Sequence, residues 1–161
     1  MNKILSHISI GTLIFLFFFV IYTLTMRGHL RFGDEAERYL SAQSLVERHD
    51  LAIQFDMDLH RHIALNGQNY SAYELGSILP LVPFYALGHV VASFFQNSSA
   101  NDIETLITGL INPFLTALTC ALLYEFALAL GYSAIVSLFI TCLYGIATIA
   151  WPYSFVSCQN S

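Results

Sequence analysis

Asp34 and Glu35 stand side by side, and Arg38 follows Asp34 by four residues. On a helix that spacing puts positions 34 and 38 on one face. A carboxylate there can take a proton from a reacting hydroxyl. The guanidinium can hold that carboxylate ionised, or grip a phosphate through its planar fork. Asp34 serves equally well as a helix cap, with Glu37 three residues on as the returning partner of a capping box. In "DMDLHRH", Asp56, Asp58, His60 and His62 alternate, so a strand would turn all of them to one side. A straight strand cannot wrap a tetrahedral ion, and a solvated hairpin edge explains the pattern as well. Bound metal at "DMDLHRH" is left as one reading of that pattern; otherwise no cofactor is expected, a divalent cation being possible but unsupported by the spacings. Glu125 is an acid inside an apolar run, about two turns before Gly131, and is either functional or reaching an interface. His89 reads as a hydrogen-bonded core histidine.

The elements that must position these groups follow from composition. The chain has 161 residues, 56% of them hydrophobic and 11% charged, far less charge than a soluble domain carries. Ile4–Met26, Leu75–Asn101, Thr105–Tyr124 and the run from Phe126 onward hold no acid, Lys or Arg. A span needs roughly 20 apolar residues. The expected fold is therefore an all-α polytopic membrane protein in a single membrane domain. Its spans are expected at about 5–26, 77–96, 104–130 and 133–156, the first as an uncleaved anchor. Pro80 and Pro83 fall near the start of the second span, and Pro113 is expected to kink the third. Cys120 and Cys142 lie in apolar runs as small buried hydrophobes.

Five of the six basic residues and eight of the eleven acids fall in residues 27–74. This polar loop is net negative, which removes support for nucleic-acid binding. Residues 34–49 read as a helix with a broad apolar face, suited to lie along a membrane surface. Asn66-Gly67 reads as the two-residue turn of a small hairpin, with Tyr70 and Tyr73 on its return arm or just past it.

The order of these pieces carries a resemblance. A first span is followed by "GDEAERYLSAQSLVE", then "NGQNYSAYELGSILPLVPFYALG", "NPFLTALTCALLYEFALALG" and "CLYGIATIAWPYS". Over nearly its whole length the chain resembles the N-terminal part of polytopic GT-C glycosyltransferases, closest to bacterial members related to protein O-mannosyltransferases and lipid A aminoarabinose transferases. The resemblance implies a membrane glycosyltransferase, or a truncated fragment of one. Its partners would be a polyprenyl-phosphate-linked sugar donor, a lipid, glycan or protein acceptor, and membrane lipids. The place implied is the cell (inner) membrane, multi-pass, with the first polar loop extracytoplasmic. Asp34 would be the catalytic carboxylate, with Glu35 second. Arg38, Tyr70 and Tyr73 would bind substrate. Where relatives often carry a lysine in the "YSxY" stretch, this chain has Ala72. The five arginines of the loop oppose an outside placement under the charge rule, whereas its eight acids and the first-span pattern favour it. The residues leave open a non-catalytic, four-span membrane protein whose polar loop docks a partner.

Overall fold

A computed structural model describes residues 9–26, 34–53, 61–63, 67–95 and 99–154; at 34, 35, 61–63, 99, 153 and 154 it describes the backbone alone. The described chain is mostly helical, with one small sheet, and falls into two compact units. One unit draws on residues 1–27 and 112–156, the other on 28–111.

In the first unit, α1 (Ile10–Thr25), α6 (Ile111–Ala129), α7 (Ala134–Ala147) and α8 (Ala150–Ser154) supply the helices. Ser9 caps α1 by accepting from the Thr12 N–H at 3.1 Å, and Ser133 caps α7. Helix α6 ends in a Schellman turn. Gly131 takes φ 90°, its N–H donates to the Leu128 carbonyl, and the Tyr132 N–H donates to the Ala127 carbonyl. Only glycine enters that backbone region without penalty.

The core of this unit joins Ile14, Phe18 and Tyr22 to Ala117, Cys120, Ala121 and Tyr124. Tyr22 donates to the Gly145 carbonyl at 2.9 Å and lies 3.6 Å from Cys120 Sγ. Helix α7 turns Ser137, Thr141 and Gly145 inward, while Ile135, Phe139 and Leu143 face out. Leu13, Phe17 and Val20 of α1, and Leu122 and Phe126 of α6, also face out. On α7, then, small and polar side chains face inward and large apolar ones outward. Glu125 is exposed yet lies against Gly11, where an added Cβ would come 2.4 Å from its Oε1.

The second unit holds α2 (Asp34–Arg48), the antiparallel pair β1 (Arg61–Ile63) and β2 (Asn69–Ser71), α3 (Leu75–Ile78), α4 (Leu81–Ala92) and α5 (Ser99–Gly109). Its core gathers Ala42, Ile78 and Tyr85, with Tyr39, Val46, Leu81 and Val82 against them. Helix α4 packs most broadly on α5, and α2 packs on α3, α4 and β2. The α2 expected from sequence is therefore present, within one residue of its expected end.

Three expectations need correction. Pairing of Ile63 with Asn69 leaves residues 64–68 to connect the strands, longer than a two-residue turn. Gly67 still takes the positive φ, 75°. The apolar tracts at 77–96 and 133–156 are not continuous helices. Each contains a proline whose missing N–H and bulky ring fall against the carbonyl four residues earlier. Pro83 lies four residues after Leu79, at the break between α3 and α4; Pro113 lies four after Gly109, where α5 ends before the turn at Leu110; and Pro152 lies four after Thr148, which is extended at φ −113°, ψ 178°. Among the described residues, one helical stretch, Ala100–Ala129, is long and apolar enough to cross a membrane, counted across the turn at Leu110. Helices α1, α4 and α7 are apolar but shorter. Finally, His89 is hydrogen-bonded as expected, but its side chain is 51% exposed, so it is no core histidine.

Candidate functional site

Every functional candidate with a described side chain in the polar loop sits on α2 or on what packs against it. Asp34 opens α2, and Glu35 follows in its first turn. The side chains of both lie outside the described residues. Arg38, one turn on, places its guanidinium carbon 5.2 Å from the centre of the Tyr73 ring, a cation–π contact. Tyr70 lies on β2, paired with His62. The structure thus brings Arg38 and Tyr73 together and sets Tyr70 on the adjoining strand, half-buried. Asp56, Asp58 and His60 lie outside the described residues, as does the side chain of His62.

Local chemistry explains how the hairpin is held to α2. Just after the helix, His49 takes a left-handed backbone, φ 57°, and turns the chain back. Asp50 Oδ1 accepts from the Leu51 and Ala52 N–H groups. The Ala52 carbonyl then receives the Ser44 hydroxyl at 2.7 Å and the Arg48 guanidinium at 2.5 Å. The Ile53 N–H donates to the Asn69 carbonyl at 2.8 Å, tying this corner to β2. From the other side, the Ser71 hydroxyl faces Glu37 Oε2 at 3.4 Å. Glu37 is 1% exposed, so the residue read as a cap partner is a buried carboxylate under the hairpin.

Toward its C-terminal end, α2 meets α4 and α5 in a second polar cluster, which the sequence reading missed apart from His89. Glu47 of α2, His89 of α4 and Glu104 of α5 bring one ligand-capable atom each to within 4.8 Å of one another. His89 Nδ1 lies 3.0 Å from Glu104 Oε2 and 3.7 Å from Glu47 Oε1. The Tyr39 hydroxyl donates to Glu104 Oε1 at 2.6 Å, and the Tyr85 hydroxyl donates to Glu47 Oε1 at 2.5 Å. Gln43 Nε2 also donates to Glu47 Oε1, at 3.2 Å. The Tyr85 ring stacks on His89 and meets Tyr39 edge-on. Burial, then the hydrogen bond to Glu104, pushes the Tyr39 phenol well above its ordinary range.

A close helix crossing makes this cluster possible. At Gly88 an added Cβ would stand 2.9 Å from the Glu104 carbonyl oxygen and 3.2 Å from its Cα. Glycine lets α5 approach α4 closely enough for Glu104 to reach His89. In the sequence these residues are 42 and 15 positions apart, so no local spacing groups them. No family model, curated protein or solved structure matches the chain.

Proposed function

We propose that this chain contributes the first spans and polar loop of a membrane glycosyltransferase of the GT-C type. Such an enzyme moves a sugar from a polyprenyl-phosphate-linked donor to an acceptor at the extracytoplasmic face of the cell membrane. The observation that carries this reading is the Arg38–Tyr73 contact beside β2, one turn from the start of α2. A guanidinium backed by an aromatic ring can grip a phosphate, and tyrosines beside it can pack on a sugar face. The outward apolar faces of α1, α6 and α7 support burial in lipid, where large side chains cost nothing outside and small ones let helices meet. The four spans and the outward loop belong to this proposal.

In the proposed reaction the acceptor oxygen attacks the anomeric carbon, and the carbon–oxygen bond to the phosphate breaks. The phosphate leaves with the electron pair, held by Arg38. Asp34, with Glu35 as the second carboxylate, takes the acceptor proton. No step requires an oxidant or a resident metal.

The test is transfer of labelled sugar by the membrane-assembled transferase carrying Asp34→Asn, a change that preserves size and most capping ability. Removal of a general base costs about 10²–10⁴ in rate. Transfer by Asp34→Asn at the unsubstituted rate, with equal protein in the membrane, would overturn the assignment. A loop that only docks a partner predicts that equal rate.

A further inference from the structure

We infer that Glu47, His89 and Glu104 form a binding site for a single divalent transition-metal ion, best matched by Zn²⁺, held at the junction of α2, α4 and α5. This site is separate from the Arg38–Tyr73 contact and does not rest on the sugar-transfer reading.

The geometry favours an ion over a proton. One imidazole nitrogen carries at most one proton, and that proton can serve Glu104 at 3.0 Å. Glu47 Oε1, at 3.7 Å, lies beyond hydrogen-bond range of the same nitrogen. An ion at the centre satisfies both at once. Zinc bonds to nitrogen and carboxylate oxygen run about 2.0–2.2 Å, so two ligands on one ion stand about 3.0 Å apart at right angles and about 3.6 Å apart at 120°. The two separations from His89 Nδ1, 3.0 and 3.7 Å, match that range; the three atoms lie within 4.8 Å of one another, so the Glu47 and Glu104 oxygens draw together by a few tenths of an ångström when both ligate.

Charge points the same way. Two carboxyl groups share a partly buried space, the Glu104 side chain being 10% exposed and that of Glu47 32%. A dication between them would face both carboxyl groups and the imidazole nitrogen at once. The tyrosines complete the arrangement. Tyr39 and Tyr85 each donate to a carboxylate oxygen and fix its direction, the task of outer partners in metal sites. The half-exposed His89 leaves access from solvent and room for water in the remaining positions. A mixed nitrogen and oxygen set suits first-row metals, whereas Mg²⁺ prefers an all-oxygen octahedron.

The experiment is calorimetric titration of the purified full chain in detergent with Zn²⁺, in excess Mg²⁺. One Zn²⁺ per chain is expected, with binding abolished in Glu104→Gln and in His89→Gln. Tyr85→Phe, which removes only an outer hydrogen bond, is expected to weaken binding about 10–100-fold. Glu47 is partly exposed, so Glu47→Gln serves if Glu104→Gln fails to fold. The double variant His60→Ala/His62→Ala is expected to bind as the unsubstituted chain does. Absence of Zn²⁺ binding by the unsubstituted chain would overturn the site. So would undiminished binding by folded Glu47→Gln or Glu104→Gln, or loss of binding in the His60/His62 variant alone.

Discussion

Replacing Gly88 by alanine tests how closely α4 and α5 approach. The new Cβ would meet the Glu104 carbonyl oxygen at 2.9 Å, its Cα at 3.2 Å and Ile107 Cβ at 3.4 Å. Carbon contacts are comfortable at about 3.5–4.0 Å. Two of these partners are backbone atoms, which cannot turn aside, so the helices must part by several tenths of an ångström. Overpacking of this kind costs about 1–3 kcal/mol. Alanine is also the better helix former, by about 1 kcal/mol. That gain must be separated from the packing loss. Gly76→Ala does so, because Gly76 is in α3 and has nothing within 4 Å of its added Cβ. Gly76→Ala gains helix propensity too, though less in the four-residue α3, and meets no clash. We expect Gly88→Ala to be less stable than Gly76→Ala by about 1–3 kcal/mol, or about 2–12 °C in Tm for a chain of this size. Thermal unfolding in detergent, followed by far-ultraviolet circular dichroism, measures that difference. Equal midpoints for the two variants would refute the close crossing, and with it the geometry that brings Glu104 to His89.

Two further outcomes follow from the loop. The phenol of Tyr39 is raised above its ordinary value of 10.0 by burial and by Glu104. Its contribution is therefore fully present below about pH 10 and is lost as pH rises beyond that, because the unfolded phenol ionises first. Tyr39→Phe should flatten the alkaline fall in stability, measured by denaturant titration across that range; an unchanged fall would exclude Tyr39 as its source. For orientation, Ala72 is exposed just past β2. An Ala72→Cys variant in intact cells should react with a membrane-impermeant thiol reagent, whereas labelling only after lysis would place the loop inside.

What the sequence could say depended on the range over which each signal acts. Helix α2 was legible because acidic residues at its start, a basic end and an apolar face are all local to residues 34–49. The hairpin was legible from glycine at 67 and flanking extended residues, but its turn length was not, since register is set by the Ala52–Tyr70 bridge and the Ile53–Asn69 hydrogen bond. Apolar tracts were legible as tracts. Their division into α3 and α4, α5 and α6, and α7 and α8 depends on which carbonyl each proline blocks, four residues upstream. The Arg38–Tyr73 contact joins two residues that the family resemblance alone groups. Glu47 and Glu104 could not be grouped that way. Only the helix crossing at Gly88 brings them to one histidine, and no pattern along the chain encodes that crossing.

The most direct measurement of the central claim is binding of a polyprenyl phosphate to the full chain in lipid nanodiscs, compared with the same prenol lacking phosphate. Farnesyl phosphate is a suitable probe. The account predicts binding that requires the phosphate. It also predicts that Arg38→Gln weakens binding about 10–150-fold, the loss of one charged hydrogen bond of about 1.5–3 kcal/mol. Equal binding of phosphate and prenol, or an affinity unchanged by Arg38→Gln, would contradict it.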